Sequence, residues 1–207
     1  MPMRYAMPAA NVDAPHTTTL EIQKSRFIGW CAGIDDVADA ERLIAHARSY
    51  YPDASHHCSA YIAGPPGEDR AIGFSDDGEP GGTAGQPMYR VLEGSGLGRI
   101  ACVVIRYFGG TKLGTGGLAR AYAQTVSALL AELHTREHVP RKRLSLDLTF
   151  ADEQPARAWL AEHDGEIVAA DYHGQGVTLA VGWPLDAGVA LDALDARLNG
   201  RLVVAGD

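Results

Sequence analysis

VVIRYFGGTKLGTGGLARAY, residues 103–122, decides how the rest of the chain is read. An apolar strand runs into a segment holding five glycines and emerges as a helix. Gly109, Gly110, Gly114, Gly116 and Gly117 can take positive φ without a Cβ clash, and they feed a helix N-terminus whose first amides lack intrahelical acceptors. A backbone of this kind can press its N–H groups against an anion. The same glycines suit a tight strand-to-helix connection packed against its neighbour, and the sequence leaves both readings open. Between Ser95 and Ala131 there is no Asp or Glu, while Arg99, Arg106, Lys112 and Arg120 supply positive charge.

That local field opposes the balance of the whole chain, which carries 18 Lys and Arg against 26 Asp and Glu, a net charge of −8. Net acidity argues against a protein coated in nucleic acid and leaves room for a local basic site. The 207 residues suffice for one large domain or two small ones, and 46% hydrophobic with 21% charged residues is an ordinary globular composition. The first twenty residues lack a basic start followed by an apolar core, and no run approaches the ~18 apolar residues of a membrane span. A cytoplasmic protein with no membrane partner is expected. Cys31, Cys58 and Cys102 are few and widely spaced, which fits a reducing compartment better than a disulfide framework.

Outward from the glycine segment, residues 1–17 read as a flexible arm with three prolines. Leu20–Gly33 reads as strand, and Asp36–Tyr50 as a helix with Val37, Ala40, Leu43, Ile44 and Ala47 at helical spacing. Strands follow at His57–Ala63 and Ile72–Ser75, a helix at Thr83–Glu93, a buried strand at Ile100–Tyr107 and a helix at Leu118–Leu133. A break near Glu137–Arg143 separates residues 18–138 from residues 139–207. Beyond it a strand alternates Leu144, Leu146, Leu148 and Phe150 with polar residues. Asp152 is expected to cap a helix with Pro155 in its first turn. Two strands then flank Gly174-Gln175-Gly176, and a last helix stops at Asn199-Gly200 before a final strand. The order βαββαβ is that of a ferredoxin-like sandwich.

Gly114–Ala119 formally matches G-x-G-x-x-A, but residues 109–113 intervene after the strand, and no acidic residue closes a second strand about twenty positions on. Lys112 is not in a G-K-[ST] sequence, so a Walker loop fails as well. Ser75-Asp76-Asp77-Gly78-Glu79 groups three carboxylates, which could hold a hard cation or could cap the next helix and face water. It lacks the ligand spacing of an EF-hand. The expectation is capping, with Arg70 and Arg90 as nearby cations, and no metal. His56-His57-Cys58 offers no second ligand pair for zinc, and consecutive strand residues point to opposite faces. No catalytic residue and no cofactor is assigned.

KSRFIG (24–29), SHHCSAYIAG (55–64), SDDGEPGGTAGQPM (75–88) and VVIRYFGGTKLGTGGLARAY (103–122) together resemble the IMPACT family in its bacterial two-domain, YigZ-like form. The resemblance implies an α+β protein: an N-terminal left-handed βαβ domain like domain four of elongation factor G, then a ferredoxin-like domain like its domain five. It also implies a link to translational control. The expected function is a translation-associated regulatory or binding protein that contacts RNA, the ribosome or a ribosome-bound protein, and is not an enzyme. Its binding residues would be Arg106, Tyr107, Gly109, Gly110, Lys112, Gly114, Thr115, Gly116, Gly117 and Arg120. Tyr107 and Phe108 face opposite ways in a strand, so at most one can stack on a base. The rival is a phosphate- or nucleotide-binding enzyme that uses the glycine segment with Ser75, Asp76, Asp77 and Glu79.

Overall fold

The computed structural model describes residues 4–68, 71–188 and 191–205. The chain divides into two compact units, Tyr5–His138 and, with Arg4, the residues from Val139 onward. Both mix helices with antiparallel sheet.

In the first unit, β1 (Tyr5–Pro8) pairs with β7 (Thr135–His138). A second sheet runs in the order β2 (His16–Ile22), β3 (Ser25–Gly33), β6 (Ile100–Tyr107), β4 (His56–Ile62), β5 (Ile72–Ser75). The apolar run of β6 is buried because the strand is central and covered on both faces. Its Ile100, Cys102 and Val104 meet α2 (Gly85–Ser95) and α3 (Gly114–Ala131), whereas Ala101, Val103 and Ile105 meet α1 (Val37–Tyr50). Period-2 alternation therefore sends Arg106 to the α2/α3 face and Tyr107 to the α1 face.

Three details of this unit differ from the sequence reading. Residues expected as a flexible arm form β1 and the start of β2, because Met7 and Val12 are buried and the Asn11 side chain accepts from the Asp13 and Ala14 amides to close a turn. The single strand expected from Leu20 to Gly33 is a hairpin that turns through Gln23 and Lys24 at φ 46° and 66°. That is a two-residue turn without its usual glycine. Helix α3 begins at Gly114 rather than Leu118, so three of the five glycines lie inside its first turn. Arg70 falls outside the described residues.

The second unit contains β8 (Arg141–Thr149), α4 (Phe150–Glu162), β9 (Glu166–His173), β10 (Gly176–Pro184), α5 (Leu191–Arg197) and β11 (Val203–Ala205), with sheet order β11-β8-β10-β9. Its core joins Leu146, Leu148, Trp159, Leu160, Leu179 and Trp183, with the two indoles stacked 5.3 Å apart. Asp152 does not cap α4: the helix starts earlier, after Thr149, and Asp152 lies in its first turn, where it accepts from Thr149 Oγ1 and binds the Arg201 guanidinium. Among the described residues no helix is long and apolar enough to cross a membrane.

Candidate functional site

The acidic segment after β5 is consumed by the fold. Asp76 Oδ1 accepts from the Ala84 and Gly85 amides at 2.9 and 2.8 Å, and Oδ2 accepts from Gly82 at 2.7 Å. This carboxylate reaches across the loop to cap α2, whose own N-cap residue, Ala84, has no side-chain acceptor. Burial works against its ionisation, but the three amide hydrogen bonds win and hold its pKa below the usual value. Asp77 accepts from the His57 amide at 2.6 Å and pairs with Arg48 of α1; against its burial, Arg48 and this amide hold its pKa down.

Glu79 lies deeper. Its side chain is 3% exposed and pairs at 2.6 Å with Arg106, itself 6% exposed, at the end of β6. Tyr122 of α3 donates to the same Oε1 at 2.7 Å, and Arg106 Nη2 donates to Ser25 Oγ at 3.3 Å. The guanidinium lies 5.5 Å from the Phe27 ring and 5.6 Å from the Phe108 ring. Strand β3, strand β6, helix α3 and the acidic loop thus meet on one buried ion pair. Cys58 beside it is no nucleophile: burial pushes its thiol up to about 12, and it donates to the Asp76 carbonyl. His57 faces the other side of the sheet, where burial and the Arg48 charge lower its pKa and its Nε2 contacts the Tyr51 carbonyl. Among the described residues no group of three or more His, Cys, Asp and Glu could hold a metal ion.

Above the ion pair lies an open cavity of about 370 Å³, walled by Phe108, Lys112, Leu113 and the first residues of α3, with Glu79 and Arg106 at its floor. Phe108 is 51% exposed. The N-terminus of α3 is unlike the others. Asp36 caps α1, Asp76 caps α2, and α4 carries Asp152 and Glu153 in its first turn. Helix α3, the longest at 18 residues, has no side-chain cap and no acid in its first turn. Lys112 precedes it, and the Arg120 guanidinium folds back to within 3.6 Å of where a Gly116 Cβ would be. Cations at this end of a helix oppose its dipole.

The glycines separate by what each position demands. A Cβ on Gly109 would stand 1.9 Å from the Lys24 carbonyl oxygen, and Gly114 enters α3 at φ 72°. Gly116 has no positive φ, and a Cβ there would meet only the Arg120 guanidinium, at an ordinary contact distance of 3.6 Å, so no requirement of the fold explains its missing side chain.

The structure gathers Lys112, Gly114 and Thr115 around this cavity and puts Gly116 and Gly117 in the same helical turn. It corrects two expectations. Arg106 is not a free charge for phosphate, because Glu79 neutralises it below the surface. Tyr107 faces α1 with Arg26 over its ring at 4.5 Å, which leaves Phe108 as the aromatic that can stack. Arg120 lines a neighbouring cavity with Arg90. Sequence reasoning missed Ser25, Arg48 and Tyr122. Only Tyr122 carried a signal, since a phenol in a buried stripe needs a hydrogen-bond partner.

The comparisons agree with this architecture. The Impact N-terminal domain matches residues 23–130. IMPACT family member YigZ of Escherichia coli K12 is 45% identical over 159 residues, 77% of this chain and 78% of its own length. A Haemophilus influenzae IMPACT family member is 38% identical over 89% of both chains. A crystal structure described only as that of a hypothetical protein covers all of this chain and 98% of its own, at 39% identity and a TM-score of 0.72. The chain belongs to the IMPACT family. Within it, this is a bacterial YigZ-like member.

Proposed function

We propose that this chain is a cytoplasmic, translation-associated binding protein, without catalytic activity, that contacts RNA on or near the ribosome through the N-terminal end of α3. The observation that carries this reading is the unopposed positive N-terminus of α3 beside Lys112 and the exposed Phe108. A phosphate there would meet free amides and a cation, and a base could stack on Phe108. Gly116 would let the backbone of the ligand come close. The family's link to translational control supplies the setting. In the same reading the first unit is a left-handed βαβ domain like domain four of elongation factor G. The second is ferredoxin-like, a reading supported by its strand order, in which the first and third strands are central.

An enzyme that binds metal through Asp76, Asp77 and Glu79 gains no support, since each carboxylate already holds amides, guanidinium groups or a phenol. The test is cosedimentation with ribosomal particles at several salt concentrations, with single-stranded RNA titrated in parallel. Lys112→Glu should weaken RNA binding and reduce the log–log salt slope by about 0.7 for one lost contact. Phe108→Ala should weaken it without changing the slope. Binding unchanged by both variants refutes the site, and nucleotide-dependent thermal stabilisation with no RNA binding promotes the enzyme reading.

A further inference from the structure

Helices α2 and α3 pack side by side, and a trough lined by exposed and half-buried residues of both follows their line of contact as far as Thr135 of β7. It consists of two cavities, about 460 and 500 Å³, that share Val91 as a wall and so lie end to end. One end is basic: Arg90 of α2 and Arg120 of α3 stand on opposite walls, both exposed, with no ion-pair or hydrogen-bond partner among the described residues. The other end carries no charged residue: half-buried Leu97 and Leu130 line it together with Ser95, Ser127 and Thr135. The α2 wall is 11 residues long, or about 16 Å at 1.5 Å per residue, which is three helical turns.

We propose that this trough is a docking site for an acidic amphipathic helix of a protein partner. Three features select that occupant. Two unpaired arginines across a groove call for carboxylates, and a planar guanidinium binds them in a two-point fork. The uncharged end continues the groove in line with the charges and offers Val91, Leu97 and Leu130, which matches an apolar stripe with acids at one end. The α3 wall presents Ala119, Ala123 and Ser127 at every fourth position, so a third helix can approach closely. Nucleic acid fits less well, because no aromatic residue lines either cavity. This inference goes beyond the RNA-binding reading; Arg120 stands near both surfaces, but Lys112 and Phe108 line only the RNA-binding cavity, so either reading can fail alone.

The test places a photo-crosslinking amino acid at Gln86 or Ser127, both exposed in the trough, in the full chain within its own cells. Cross-linked peptides are then sequenced by mass spectrometry. The expected adduct is a helical protein segment with two or more Asp or Glu at i, i+3 or i+4 beside an apolar stripe. A synthetic peptide of that segment should bind in fluorescence anisotropy. Its dissociation constant should rise at least tenfold in the Arg90→Glu/Arg120→Glu variant, or in Arg90→Gln/Arg120→Gln if the former alters the circular dichroism spectrum. Lys112→Glu should leave that affinity unchanged. No adduct at either position, a nuclease-sensitive RNA adduct, a basic or unstructured segment, or binding indifferent to both arginines overturns the proposal.

Discussion

Neutralising Glu79 is the sharpest perturbation this fold offers. In Glu79→Gln the amide oxygen keeps the shape of the carboxylate and can still accept from Arg106 and Tyr122, but the negative charge is gone. Arg106 is then a cation, 6% exposed in its side chain, with no anion against it. Its Nε already has no hydrogen-bond partner, and Nη2 reaches only Ser25 Oγ at 3.3 Å. Removing one member of a buried pair destabilises by about 3–5 kcal/mol, because the remaining charge is desolvated without compensation. That is a large share of the ~5–15 kcal/mol that holds a domain together. Amide hydrogen exchange on β6 reads this unit alone, whatever the second unit does. Protection there reports global opening, and at about 1.4 kcal/mol per tenfold the exchange rates should rise about 10²–10⁴-fold. Adding Arg106→Met, which removes the stranded cation, should restore part of the loss. A Glu79→Gln protein whose β6 amides exchange less than tenfold faster would refute the argument that the pair closes this site.

Asp76→Asn should destabilise the first unit by about 0.5–2 kcal/mol, since it turns a donor toward the Gly82 amide and removes a charge from the α2 N-terminus. Because the folded pKa of Asp76 lies below its ordinary 3.8, its contribution is present above that value and lost as pH falls through the folded pKa; denaturant unfolding should show a shallower acid limb in the variant. In the second unit the Arg201 and Thr149 hydrogen bonds hold the Asp152 carboxyl at about 2, so stability there should fall between pH 4 and pH 2, and Arg201→Met should flatten that fall in the same assay. Gly109→Ala should cost about 1–3 kcal/mol by forcing the β2–β3 hairpin away, whereas Gly116→Ala should raise stability by about 0.5–1 kcal/mol in thermal unfolding. The same Gly116→Ala variant should weaken RNA binding, and one that is both more stable and fully able to bind would remove the functional account of that glycine.

What could be read from sequence was the local periodicity, and what could not was the pairing of distant charges. The run Ile100–Tyr107 reads as a buried strand because both faces of it are apolar, and the spacing of Val37, Ala40, Leu43, Ile44 and Ala47 reads as a helix, which Asp36 caps. The hairpin at Gln23-Lys24 was hidden because neither residue is a usual occupant of positive φ; pairing of Phe27 with both Leu20 and Arg106 across the sheet holds the turn in place. The sequence pattern starts α3 at Leu118 because glycines weaken helix propensity, yet the first turn from Gly114 is anchored by the buried Leu118 that follows. Arg106 looked like one more cation of an acid-free segment. Its partner is 27 residues away in sequence, in a cluster where nothing local distinguishes Glu79 from Asp76 or Asp77. Strand alternation alone carried a usable hint, since it turns Arg106 inward beside Val104, where a charge must be paired.

The two features that the first glance treats alike, acids in a loop and glycines before a helix, end with opposite meanings once the amides are followed. The acids answer the N-terminus of α2 and the buried arginine, so removing them costs stability. The N-terminus of α3 receives nothing from the chain: no cap, worth about 1 kcal/mol, no acid, worth about 0.3–1 kcal/mol, and a glycine where alanine would add about 1 kcal/mol. About 2–3 kcal/mol of available stabilisation is left out at one place, beside Lys112 and under an exposed Phe108. An anionic ligand would supply the missing partner, so its binding should protect the first turn of α3 from hydrogen exchange more than any other helix end. Linkage sets the size of that protection at about 2.7 kcal/mol when the ligand stands at a hundred times its dissociation constant.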